Sequence, residues 1–143
     1  MADLEVSYED GIATLTMNRP EARNALSMEM RSVLSDVLHD IEQDSSVRCV
    51  VLQGAGQHFM AGGDVKGMRE SVKKTPEKIR KEFILRIHDL HTIMFAMRRM
   101  PKPIIASCRG AAAGAGVSMA LACDLVIASE DAFFTLALSL IHI

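Results

Sequence analysis

The apolar positions of this 143-residue chain recur with two periods, and each switch between them marks a new element. In LEVSYEDGIATLTMN, apolar and polar residues alternate on both sides of Asp10-Gly11. That is the pattern of two strands joined by a tight turn, with Asp-Gly supplying the positive φ angles. Pro20 ends the second strand, because it brings no N–H to a ladder. Ser27 then stands as an N-cap before Met30, Val33, Leu34, Val37, Leu38 and Ile41, which fall on one face of a helix closing near Asp44. RCVVLQG and PIIASCRG are short, continuous apolar runs of the kind found in strands buried on both faces. Between them, Thr75-Pro76-Glu77 opens a long helix with proline at its first position. Ile79, Phe83, Ile87, Leu90, Met94 and Met97 step along it by three and four, and the prolines of PKP stop it. GAGVSMALA reads as a small-residue helix, with DLVIAS and FFTLAL as further strands. Strands alternating with helices predict an α/β class, and one domain or the larger part of one.

Composition narrows the partners. Nearly half the residues are apolar (49%) and the formal net charge is -2, so no basic footprint for nucleic acid or an anionic membrane is present. Cys49, Cys108 and Cys123 lie far apart inside apolar runs, which predicts buried reduced thiols rather than disulfides or metal ligands. The opening MADLEVSYEDG is acidic and lacks the apolar segment of a signal peptide. No apolar run nears the ~20 residues that cross a bilayer. A cytoplasmic protein is therefore expected. The last stretch, FFTLALSLIHI, carries no charge after Asp131 other than His142, and such a tail predicts a chain cut short.

Candidate chemistry concentrates in two glycine-punctuated loops, FMAGGDVKGM and GAAAGAGVSM. Gly110 to Gly116 places seven small residues in succession just before a helix. Without Cβ branches, main-chain N–H groups there can approach a ligand, and the helix start adds unsatisfied donors and a positive dipole end. The competing reading is a tightly packed helix start with no ligand. Neither GxGxxG nor GxxxxGK[ST] can be fitted, so a nucleotide-cradling role is weak. Asp64 reads as the cap of the following helix or a substrate-positioning group more than as a catalytic carboxylate. Ser118 serves equally as a substrate contact or as a mid-helix serine bonded to its own backbone. His58 reads as a surface histidine beside the first loop, with a general-base role as the alternative. His88 and His91 are three apart on the long helix but lack a third metal ligand. Met94, Met97 and Met100 form a face suited to core filling or to a partner helix. The run RESVKKTPEKIRKE is a solvated segment whose basic character would also attract phosphates.

Three blocks, IATLTMNRPEARNALS, FMAGGDVKGM and PKPIIASCRGAAAGAGVSMALACDLVIAS, resemble the enoyl-CoA hydratase/isomerase (crotonase) superfamily, in order and spacing, from Leu4 to Ala137. GAAAGAGVSMALACD is most similar to its bacterial isomerase-like members. The resemblance implies a spiral of ββα units, here its N-terminal portion (1–137), with an atypical tail (138–143) and the C-terminal helical region absent. It also implies assembly as a homotrimer or hexamer, an acyl-CoA thioester as substrate, and no cofactor, coenzyme A being part of the substrate. By position, the backbone N–H groups of Gly63 and Ala115 would form an oxyanion hole around the thioester carbonyl. Arg23, Ala25, Ala61, Asp64, Val65, Lys66, Ala112, Gly114 and Ser118 would contact the substrate. Each such donor is typically worth roughly 3–4 kcal/mol of transition-state stabilisation. The two glutamates of the family's hydratases would fall at Ser118 and Leu138, neither of which can act as a carboxylate base. The resemblance thus implies an isomerase that shifts a double bond through a thioester enolate. The alternatives are an acyl-CoA-binding fragment without its proton shuttle, a hydratase, and a structural subunit associating through the methionine-rich helix.

Overall fold

The computed structural model describes residues 2–69 and 73–137; Leu138 and the tail expected to be atypical lie outside them. Asp10 and Gly11, both at positive φ (49° and 79°), turn β1 (Leu4–Glu9) into antiparallel β2 (Ile12–Met17) as the sequence predicts. After a 3-10 turn at Pro20–Ala22, the Ser27 hydroxyl accepts the Met30 N–H at 3.0 Å and caps α1 (Met28–Gln43). β3 (Cys49–Gly54), α2 (Val65–Arg69) and α3 (Pro76–Arg99) follow, α3 starting on the proline expected there. β4 (Ile104–Cys108), β5 (Ala111–Ala113), α4 (Ala115–Ala122), β6 (Leu125–Ala128) and β7 (Phe133–Thr135) complete the described chain. Lys102, between the two prolines that stop α3, donates to the carbonyls of Ile41 and Asp44, where α1 ends with acceptors to spare.

The main sheet runs β1-β2-β3-β4-β6, parallel from β2 onward. Its register aligns Ala13 with Val50 and Ile104, and Leu15 with Leu52 and Ala106, and all six are buried. Met30, Leu34, Leu38 and Ile41 of α1, Ile93 and Met97 of α3, and Met119 and Ala120 of α4 join them in one core. A fully buried side chain of this size is worth about 1.5–3 kcal/mol. The expectation of strands buried on both faces is corrected. Burial alternates along β2, β3 and β4, and the opposite face, with Thr14, Thr16, Gln53 and Ser107, is only half-buried. Every residue of β6, which lies at the sheet's edge, is exposed.

Two further departures matter for the site. Gly110 to Gly116 does not enter α4 directly: Ala111–Ala113 form β5, which pairs in parallel with β7 as a second, two-stranded sheet. The helix α3 buries only Ile93 and Met97; Met94 and Met100 lie half-buried against the core, the filling role expected of the methionine face. Ile84, Leu85 and Ile87 in its first half are exposed. His88 and His91 are exposed on the same helix, with the His91 ring edge-on to Phe95.

Candidate functional site

The first loop cluster is built on the turn after β2. Arg23 and Asn24 both adopt left-handed backbone (φ 51° and 55°), an uncommon pair of conformations without glycine. Asn24 is fully buried, and its side chain satisfies three backbone groups. Its Oδ1 accepts the Arg19 N–H at 2.9 Å, and its Nδ2 donates to the carbonyls of Ala55 (2.9 Å) and His58 (2.7 Å). That amide holds the turn against the loop leaving β3. The two segments then run side by side: the Ala61 N–H donates to the Arg23 carbonyl (2.9 Å), and the Leu26 N–H to the Gly62 carbonyl (2.8 Å). Arg19 closes the cluster, its Nη1 donating to the Ala25 carbonyl (2.8 Å) and to Asp64 Oδ2 (3.0 Å). Asp64, read as a cap or positioning group, is thus ion-paired with an arginine that the sequence did not single out.

The second loop is stitched to the first through Met60. The Met60 N–H donates to the Ala111 carbonyl (3.1 Å), and the Ala113 N–H donates back to the Met60 carbonyl (2.8 Å). Gly116 lets α4 lie directly on this strand: a Cβ there would stand 2.2 Å from the Met60 carbonyl oxygen. At Gly62 (φ 98°), a Cβ would stand 3.0 Å from the Ala113 carbonyl oxygen and 3.6 Å from the Ala115 nitrogen. The two glycine loops therefore meet backbone to backbone. Among the described residues, neither the Gly63 nor the Ala115 N–H finds an acceptor, and Ala115 is the first residue of α4, where the helix supplies none. His58, expected at the surface, is half-buried; its Nδ1 accepts the Ala111 N–H at 3.2 Å, so it serves as a strut beneath the second loop.

Two cavities meet at Gly63. The first, about 270 Å³, is lined by Arg23, Ala25, Ala61, Gly63, Asp64, Val65 and Lys66, with Glu21 and Ala22 at its rim. Seven of the residues singled out from the sequence are thereby brought together. The second, about 420 Å³, opens between α1, α3 and the start of α4; Gly63, Gly114, Ala115 and Ser118 line it beside Phe83, Ile87, Leu90 and Leu136. Ala112, grouped with the substrate contacts, lines neither: it is buried in the core, in register with Phe134 of β7 and bridged to Met60. Arg31 and Arg86 also face the second cavity, and the sequence reading passed over both. Burial, and then the neighbouring Arg86 guanidinium, pull the Arg31 pKa below its ordinary value, with Asp89 acting the other way. The signal that could have found Arg31 was a charge within the apolar stripe of α1, directly after the buried Met30.

The profile of the family described as enoyl-CoA hydratase/isomerase matches residues 7–143. The 1,2-epoxyphenylacetyl-CoA isomerase of Escherichia coli is 36% identical to this chain over 138 residues, covering 92% of the chain and 49% of that protein. A 4-chlorobenzoyl coenzyme A dehalogenase of Arthrobacter is 35% identical, over 92% of this chain and 46% of its own length. Among solved structures, an enoyl-CoA hydratase/isomerase from Marinobacter aquaeolei superposes with a TM-score of 0.88 at 31% identity, covering 99% of this chain and 54% of that one. The chain spans about half the length of the relatives it matches.

Proposed function

The chain belongs to the enoyl-CoA hydratase/isomerase family, and from that premise we propose that it holds an acyl-CoA thioester with the carbonyl oxygen between the N–H groups of Gly63 and Ala115. The observation that carries this reading is the pair of acceptor-free N–H groups on two loops in backbone contact, at the junction of two cavities. Coenzyme A would lie along the cavity of Arg23, Ala61 and Lys66, and the acyl group would enter the one lined by Ala115, Ile87 and Leu90. Loss of a proton from the carbon next to the thioester places charge on the carbonyl oxygen. Fixed backbone dipoles then stabilise that oxyanion without reorganising. Return of the proton two carbons further along completes a double-bond shift.

Isomerisation is favoured over hydration by Ser118. It lines the cavity where a hydratase would present a carboxylate, and no carboxylate among the described residues lines that cavity. The acid that moves the proton is assigned to the region beyond residue 137, and assembly as a trimer or hexamer in the cytoplasm belongs to the same proposal. In the full-length protein, Ala115→Val should lower the conversion of 3-enoyl-CoA to the conjugated 2-enoyl-CoA by about 100-fold or more. The absorbance of the conjugated thioester follows the reaction. Unchanged turnover overturns the reading. Faster hydration of 2-enoyl-CoA than isomerisation would move the assignment to a hydratase, and tight binding without either reaction to a non-catalytic acyl-CoA carrier.

A further inference from the structure

The acyl cavity contains a cation that an unsubstituted hydrocarbon chain would leave unsatisfied. Arg31 projects from α1 between the helices and is 7% exposed. Its Nη1 donates to the Arg86 carbonyl of α3 at 2.9 Å, but its Nε is buried without a partner. No ion pair to a carboxylate among the described residues neutralises it. Asp89 acts on it through space, and a neighbouring cleft that Arg31 also lines holds Asp89 and Asp36. Buried charges are ordinarily paired and fully hydrogen-bonded, so a buried guanidinium with no ion pair and an unsatisfied donor calls for an anion nearby. The cavity also collects a second cation: Arg86 lines it, its guanidinium carbon 5.9 Å from the centre of the Phe83 ring. The remaining walls, Phe83, Ile87, Leu90, Ala115 and Leu136, are apolar. Positive charge on low-dielectric walls concentrates its field on whatever enters.

We propose that the acyl group taken by this cavity carries a carboxylate, which docks on the Arg31 guanidinium. The preferred substrates are then dicarboxylic acyl-CoA thioesters rather than plain fatty acyl-CoA. This rests on the acyl-CoA reading above and specifies the acyl group. A carboxylate against the guanidinium offsets its unpaired charge, in charge-assisted hydrogen bonds about twice as strong as neutral ones. An alkyl chain of equal length fills the same volume and leaves the charge unpaired. Arg31 thereby acts as a specificity determinant, distant from the proton transfer itself.

The test is calorimetric binding to the full-length protein of two saturated CoA thioester series, matched carbon for carbon over about four to eight carbons, with and without a terminal carboxylate. Wild type should bind the best carboxylated member at least ~10-fold more tightly than its alkyl counterpart. Arg31→Met should bring the two within about twofold, and Arg31→Lys should keep part of the preference. The wild-type comparison needs no variant, so it decides the matter even where Arg31→Met disturbs the contact between α1 and α3. Equal affinity for both series in wild type, or a preference that survives Arg31→Met, overturns the carboxylate assignment while leaving the acyl-CoA reading intact. Binding of neither series overturns both.

Discussion

Asn24 carries more of the site than any charged residue in the first loop. One buried amide satisfies an N–H and two carbonyls from the turn after β2 and the loop leaving β3. Replacing it with alanine leaves those groups buried without partners, and each unsatisfied group costs about 1–3 kcal/mol. Asn24→Ala should therefore destabilise the protein by roughly 2–4 kcal/mol, read as a lower denaturation midpoint at constant m value. A change below about 0.5 kcal/mol would mean that the turn is held by other contacts. Residues of this kind were not legible in the sequence. Asn24 sits in RPEARNA, where an asparagine reads as a turn residue, and its acceptors lie more than 30 positions away. Arg19 was missed for the same reason, its partner Asp64 being 45 residues distant. The Ser27 cap was legible because donor and acceptor are three residues apart.

Elements with a local cause were read correctly. The β1–β2 hairpin, the span of α1 and the proline-bounded ends of α3 all follow from turn, cap and breaker chemistry. β5 escaped because three alanines have no strand preference; they become a strand only through Met60 on one side and β7 on the other. The faces of strands were misjudged because an apolar run tells how apolar a strand is but not what covers it. Of the three thiols expected to be buried, Cys49 is only half-buried, and the other two bear on the junction of β4 and α4. Cys108 ends β4 and Cys123 follows α4; both are buried, and burial pushes them from an ordinary 9.0 up to about 11 and about 12. A folded pKa above the unfolded one means that the protonated thiol favours the fold. That contribution is intact below pH 9 and is lost as pH climbs through 11 to 12. Denaturation midpoints should fall across that window, and Cys123→Ala should flatten the fall. Both thiols should also resist alkylation at neutral pH until the chain is unfolded. Rapid labelling of the folded protein would contradict this packing.

Across the whole molecule, the described residues form one complete core and an unfinished exterior. Leu121, Leu125, Ile127, Phe133 and Phe134 are all exposed around β6, β7 and α4. Apolar area of this kind is usually covered by further chain or by another subunit. The relatives it matches are about twice as long as this chain. The family was legible because its motifs are backbone motifs: glycines at Gly62 and Gly116 are dictated by contacts of 3.0 Å or less that would meet any added Cβ. The cavity between α1, α3 and α4 was not legible, since Arg31 and Arg86 come from two helices that only the tertiary fold brings together. On the function proposed above, the whole arrangement serves the polarisation of a single carbonyl. The most direct measurement is the stretching frequency of a carbon-13-labelled thioester carbonyl bound to the full-length protein, by isotope-edited infrared difference spectroscopy. Two donors closing on that oxygen predict a clear shift to lower frequency than in water, lost in Ala115→Val. A bound thioester whose carbonyl vibrates as it does in water would contradict the account.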